Sequence, residues 1–332
     1  MRKFKNGLIA TALVALAMGN ASAQEKTLRF AYQNVAETPQ GQGAVKFAEL
    51  VKQKSGGKMD VRLFAGGTLG GDLQTVSALQ GGTIDLTVLN AGLLVGLDKQ
   101  FALLDLPFLF NTPEEADAIV DGPIGQKLVK GLEEKGLMGL GYWELGFRQT
   151  TNSRRPITKV EDFKGLKLRV LQSPLFIDLF NKLGANAVPL PFPEVYAALE
   201  QKVVDGQENP YPTILGAKLS EVQKYLSNTR HIYNAQAFLI SKKTWDGLSA
   251  EQRKIISDSA MEAQAFQRKF SRDSMNAALA ELKKSGMEAN DLSPAEMNRL
   301  REAVKPVIDK FSKESGEAVF AEIQSELAKL RK

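Results

Sequence analysis

Twice along this 332-residue chain a short alternating strand is followed by an amphipathic helix and another strand, and that rhythm restricts the fold more than any other feature. "TLRFAYQ", Thr27 to Gln33, reads as a first strand, and Gln40 to Gln53 as a helix with Val45, Phe47, Ala48, Leu50 and Val51 on its apolar face. "MDVRLFAGG" alternates into a second strand, a helix starts at Asp72 and stops at Gly81 or Gly82, and "TIDLTVLN" is a third strand. Such a βαβαβ order predicts a parallel sheet covered by helices. The rhythm restarts at residue 166: a strand to 171, a helix from Pro174 to Leu183 stopped by Gly184, an extended "ANAVPLP", a helix with Pro193 in its first turn, and a short strand in "VVDGQENP". Ala78, Leu79, Ile84 and Asp85 are echoed 120 positions later by Ala198, Leu199, Val204 and Asp205, which points to two related lobes.

Between and beyond these units the pattern changes. "FALLDLPFLF" is apolar but broken by Pro107, so a buried connector is expected there; "PEEADAIVDGPIGQKLVKGLEEKG" is helical, and "LMGLGYWELGFRQTT" reads as a strand crossing into new territory. From a cap at Ser249 to Glu251 the chain runs to Gly286 without Pro or Gly, longer than the roughly 8–20 residues of an ordinary globular helix. Its apolar positions keep no heptad, which favours a helix bracing two lobes over a coiled coil.

Composition removes several function classes. Residues 1–23 have a basic start, an apolar run from Leu8 to Met18 and an Ala-Ser-Ala ending, the form of a cleaved secretory signal, so an exported, periplasmic chain is expected. Without that segment the 43 basic residues become 40 against 38 acidic ones, and no basic block argues for nucleic acid. No cysteine is present, which excludes disulfides, thiolate metal sites and thiol nucleophiles. His231 is the only histidine, so multi-histidine metal sites are impossible, and no G-x-S-x-G offers it a serine partner; a packed structural role is expected for it. No cofactor and no metal are expected.

Arg169 stands near the end of the strand "LKLRV", with Lys167 on its face and Leu166, Leu168 and Val170 on the other. Ligands of open α/β sheets bind at such strand ends. Ser173 and Pro174 follow as cap and first residue of a helix, whose free N–H groups favour an anion, and a guanidinium beside them can hold a carboxylate through two parallel bonds. A solvated strand face is the alternative.

The stretches "FRQTTNSRRPI", "FKGLKLRV", "PEVYAALEQKVVDGQENP", "HIY" and "LISKKTW" resemble the periplasmic solute-binding proteins of tripartite ATP-independent (TRAP) transporters, the DctP-type family, over essentially the whole mature chain. The resemblance implies a two-lobed α/β periplasmic binding protein, type II-like, with hinge strands and a long bracing helix. Its lobes are expected at 24–146 plus 235–273 and at 147–234 plus 274–332. It implies a receptor, not an enzyme, that delivers a small organic acid to integral membrane subunits, and a monomer is expected. Carried over by position, Arg169 pairs with the ligand carboxylate, Asn209 and Arg148 support it, Phe192 forms an aromatic wall, and Gln33, Asp72 and Asn90 are polar contacts of the first lobe. Asn90 stands where sialic-acid-binding members carry a glutamate, and Gln33 where they carry an asparagine, which points away from sialic acid. The alternatives are a receptor of an ATP-driven importer and a periplasmic hydrolase or isomerase using Asp205, Glu208 or Asp72.

Overall fold

Local chemistry builds the first βαβαβ unit. The structure, a computed structural model, describes residues 26–332; the signal expected over residues 1–23 lies outside the described residues. Strand β1 (Lys26–Tyr32) leads to α1 (Pro39–Lys54), where the Thr38 hydroxyl accepts the Gly41 N–H and Pro39 occupies the first turn, which needs no N–H. Strand β2 (Met59–Phe64) is followed by α2 (Asp72–Gly81), which ends on Gly82 in the left-handed region, and by β3 (Leu86–Asn90). β1 pairs in parallel with both β2 and β3.

The apolar connector forms 3-10 turns over Ala91–Gly96 and Lys99–Asp105 and buries Phe101, Leu103 and Leu104. The following helical stretch is cut into α3 (Pro113–Asp121) and α4 (Pro123–Gly131), because Pro123 cannot supply a helical N–H. β4 (Leu137–Phe147) then runs along the edge of the sheet.

The order of this sheet is β2-β1-β3-β10-β4, where β10 (Tyr233–Ser241) lies antiparallel to β3 and to β4. It is therefore mixed, not the all-parallel sheet that the rhythm predicts. β10 comes back from the second sheet and slots between strands laid down earlier, so its direction is reversed. All nine of its residues are buried, yet Asn234 and Gln236 interrupt its apolar run, and the sequence pattern does not mark it as a strand.

The second sheet has the order β11-β9-β5-β8-β6-β7. It is built from β5 (Gln149–Asn152), β6 (Lys167–Val170), α5 (Pro174–Lys182), β7 (Asn186–Pro189), α6 (Val195–Glu200), β8 (Gly206–Asn209), α7 (Tyr211–Gly216), β9 (Tyr225–Asn228) and the late strand β11 (Glu288–Asp291). The sequence echo has a structural counterpart. The Ala78 carbonyl accepts the N–H groups of Thr83 and Ile84, and the Ala198 carbonyl those of Val203 and Val204. Asp85 takes the backbone N–H of Arg29 at 2.8 Å, and Asp205 takes that of Lys167 at 2.9 Å. In each copy a carboxylate, buried for Asp85 and half-buried for Asp205, ties the helix-to-strand turn to the strand beside it.

Two segments cross between the sheets. β4 and β5 are separated by Arg148 alone, and β9 reaches β10 through residues 229–232; the Arg148 N–H donates to the Ile232 carbonyl at 2.9 Å, which joins the two crossings. A short α8 (Lys242–Asp246) precedes α9 (Ala250–Lys284), which starts in a capping box between Ser249 and Gln252. α9 packs on α1 and β4 of the first lobe and on α7 of the second. Gln267 fastens it to the edge strand, its amide accepting the Glu144 N–H at 2.9 Å and donating to the Glu144 carbonyl at 2.7 Å. The last helix, α10 (Pro294–Leu330), is broken at Gly316 and lies on α5 of one lobe and on α3 and the 99–105 turn of the other.

Candidate functional site

Strand β6 sends Leu168 and Val170 into the core of the second lobe, so Arg169 points the other way. Lys167 is exposed on that face, but Arg169 is 1% exposed, which removes the solvated-strand reading. Its Nε and Nη2 both donate to the Leu190 carbonyl, at 2.9 and 2.7 Å, and its guanidinium lies 5.9 Å from the centre of the Phe192 ring. Nη1 is buried without a protein partner. Burial pushes the guanidinium down to about 10, against the attraction of Glu208 and Asp72, so it keeps its charge at neutral pH.

The cavity that Arg169 enters lies between the lobes. From the first lobe come Gln33, Asp72 and Asn90; from the second, Phe192 and Asn209; and from the crossing, Arg148. Seven of the eight residues singled out from the sequence thus meet there. Ser173 does not: it is the buried cap of α5, its N–H is bound by the Leu171 carbonyl, and it stands outside the lining. Sequence reasoning missed Asn34, Gln40 and Gln236, which also line the cavity. A glutamine in the otherwise apolar "AQAFLI" was the available signal for Gln236.

Arg148 occupies the cavity wall in a different state from Arg169. It is 1% exposed and makes a bidentate pair with Glu208, through Nε and through Nη2 at 2.7 Å, while Nη1 donates to Asn234 at 2.6 Å. The surface pairing with Glu144 that its sequence position allows is absent; Glu144 binds Arg272. His231 lies behind Glu208, with Nε2 3.0 Å from the carboxylate and Nδ1 2.8 Å from the Thr229 hydroxyl. A carboxylate can only accept, so Nε2 carries the hydrogen, and burial holds His231 below its usual range in the neutral form. Asn234 passes the network on to Asp105 at 2.8 Å, whose carboxyl burial raises to about 8. This buried network sits where the two lobes cross.

These contacts also answer the catalytic alternative for two of its three carboxylates, Glu208 and Asp205. Glu208 is held below the ordinary glutamate range by Arg148, in spite of burial, and carries no proton to give. Asp205 is occupied by the Lys167 N–H and does not line the cavity. Among the described residues no group of three or more His, Asp or Glu could hold a metal ion.

Polar atoms without partners distinguish this cavity from larger hollows, such as one of about 440 Å³ beside β4 and α4. Besides Arg169 Nη1, the buried Gln33 Oε1, Gln236 Oε1 and Asn90 Nδ2 have none. Gln33 spends its Nε2 on the Gly70 carbonyl, and Asn90 its Oδ1 on the Gly92 N–H, so the free atoms are two acceptors and a donor. Leaving such atoms unpaired is costly, and their convergence marks a site for a polar ligand.

The mouth is shut. A Cβ placed on Gly67 would lie 2.3 Å from Pro193, and one on Gly71 2.9 Å from Pro191, so two prolines of the second lobe press on two glycines of the first. The cavity volume is about 30 Å³, room for no more than a few water molecules, so an acid of several carbons fits only when the lobes part. Gly71→Val should hold the mouth ajar and weaken ligand binding about 5- to 150-fold by calorimetry, since overpacking of about 1–3 kcal/mol falls on the closed form. An affinity equal to the parent's would show that this contact does not report closure.

A family model for DctP, bacterial extracellular solute-binding protein family 7, matches residues 30–314. The 2,3-diketo-L-gulonate-binding periplasmic protein YiaO of Escherichia coli K12 is 38% identical over 288 residues, 87% of each chain. Among solved structures, the sugar-acid-binding DctPAm of Advenella mimigardefordensis in complex with galactonate superposes with a TM-score of 0.91 at 41% identity, covering 92% of this chain and 99% of that one. A TRAP periplasmic solute-binding protein of Ochrobactrum anthropi is 55% identical with a TM-score of 0.81, covering 93% and 97%, and has its C-terminus bound in the ligand-binding pocket.

Proposed function

Because the chain belongs to bacterial extracellular solute-binding protein family 7, whose members are periplasmic receptors of TRAP transporters, we propose that it captures a hydroxylated carboxylic acid between its lobes and presents it to the membrane subunits. The observation that carries this reading is the set of unpartnered atoms around Arg169. Nη1 suits a carboxylate oxygen, and the two glutamine oxygens need donors, which hydroxyl groups supply and a bare alkyl diacid does not. Leu190 already orients the guanidinium, so little ordering cost remains when the acid arrives.

Closure is the signal in this proposal. An acid that contacts Arg169 on one lobe and Gln33, Asp72 and Asn90 on the other binds the closed form better and shifts the population toward it. The lobes are taken as 24–146 plus 235–273 and 147–234 plus 274–332. That division passes through α9, which therefore belongs to the hinge. The chain acts as a monomer, reaches the periplasm through its cleaved signal and engages no nucleic acid.

Thermal unfolding with a panel of acids tests the reading. Galactonate, erythronate or galacturonate should raise Tm by several degrees at millimolar concentration, and native mass spectrometry should recover the acid chemically intact. No shift with any carboxylate would end the proposal, and a modified acid would restore an enzymatic one.

A further inference from the structure

Charges within the closed cavity do not balance in the way that a simple pair of arginine and ligand carboxylate requires. Two guanidinium groups line it, Arg148 and Arg169. Glu208 on β8 is paired with Arg148 and cancels it, and His231, behind Glu208, is neutral. Asp105, reached from Arg148 through Asn234, holds its proton at pH 7, because burial has raised its carboxyl to about 8. Arg169 on β6 and Asp72 at the start of α2 remain. Asp72 is 8% exposed, and among the described residues its carboxylate forms no ion pair. The lysines of α8 meet α2 at its other end, where Lys243 donates to the Gly81 carbonyl, so they do not compensate Asp72.

One cation thus faces one carboxyl of the protein before any ligand arrives. A ligand carboxylate drawn to Arg169 is a second anion in a small cavity largely cut off from bulk water, and two carboxylates sharing a site raise the affinity of one of them for a proton. Of the two, Asp72 takes it: the guanidinium with the unpartnered Nη1 stabilises the ligand's charge, whereas Asp72 has no bond to a cation to lose. The proton comes from solvent and forms the O–H bond of the Asp72 carboxyl; no bond of the ligand breaks.

Resting on the receptor reading above, we infer that the cavity takes its ligand as a monoanion together with one proton bound to Asp72, and that the same carboxyl discriminates against a second carboxylate on the ligand. A diacid would bring two negative charges to a site that neutralises one. The protonated carboxyl in turn donates a hydrogen bond to a ligand hydroxyl.

The sign of the pH dependence follows. In the closed, empty cavity burial places the Asp72 carboxyl at about 7, in spite of the pull of Arg169; parting the lobes lets water reach the carboxyl and lowers that value. In the closed form the neighbouring ligand anion raises it. Affinity is flat only where Asp72 is protonated in both the open and the liganded form; above the open-form value it falls by up to tenfold per pH unit until the bound-state value is passed.

Isothermal titration calorimetry on the full mature chain tests this, with galactonate, erythronate, galacturonate and succinate as probes in HEPES and in Tris. Measured at pH 8 and at pH 6, the buffer dependence of the enthalpy for the tightest monoacid should report up to about one proton taken up per ligand at pH 8. Asp72→Asn should abolish the uptake, flatten the pH profile and narrow the preference for the monoacid over succinate by at least about tenfold. Binding of a monoacid without uptake at pH 8, uptake that persists in Asp72→Asn, or succinate binding more tightly than every monoacid would overturn the inference and leave the receptor reading intact. No heat with any of the four acids at either pH would remove that reading and this one together.

Discussion

Arg169→Ala should lose about 2–5 kcal/mol of ligand binding, roughly 30- to 5,000-fold in Kd, because it leaves a desolvated carboxylate without its counter-charge. The size follows from the state of the group. Arg169 is buried, charged and aimed by the Leu190 carbonyl, and the other arginine of the cavity is already spent on Glu208. Arg169→Lys should recover only part of the loss, since an ammonium can replace the charge but cannot donate to Leu190 and to a ligand from one plane. Calorimetry on both variants measures this, with thermal unfolding to show that each is folded. Parent-like affinity for the alanine variant would place the carboxylate elsewhere.

The second large effect is on stability. Glu208→Gln should destabilise the chain by about 3–5 kcal/mol in denaturant unfolding, because Arg148 would stay charged in a buried crossing with no anion beside it. The glutamine keeps one acceptor oxygen and sets an NH2 where the carboxylate had its second, so it cannot satisfy His231 and both Arg148 nitrogens at once. Removing both charges is the control: Arg148→Gln with Glu208→Gln should cost less than Glu208→Gln alone, as expected when the penalty comes from an orphaned charge. A double variant less stable than the single one would mean that the pair itself contributes most of the stabilisation.

Both effects depend on a distinction that residue types do not contain. Arg148 and Arg169 look alike in the chain, each on a strand end near polar residues, and both were assigned to the ligand. The fold separates them: β8 runs beside β5 and places Glu208 against Arg148, while β6 turns Arg169 toward a carbonyl and leaves one nitrogen free. Asp205 and Glu208 likewise stand three residues apart in sequence, yet one fixes a turn and the other neutralises a guanidinium.

What the chain settled by itself was local: the helices whose caps and stops are written in Ser249, Gly82 and Gly184, and the two βαβ units with their shared Asp turn. These follow from periodicity and from hydrogen bonds a few residues long, and they were legible. Ser173 shows the limit even there, because a capping position says where a helix starts and not what its first turn faces. The mixed sheet, the fate of each buried charge and the meeting of Gln33, Asp72 and Asn90 with Arg169 were decided by tertiary structure. Those contacts join residues far apart in the chain, 60 positions for Arg148 and Glu208, and a charge changes its chemistry with the partner and the solvent that folding leaves beside it.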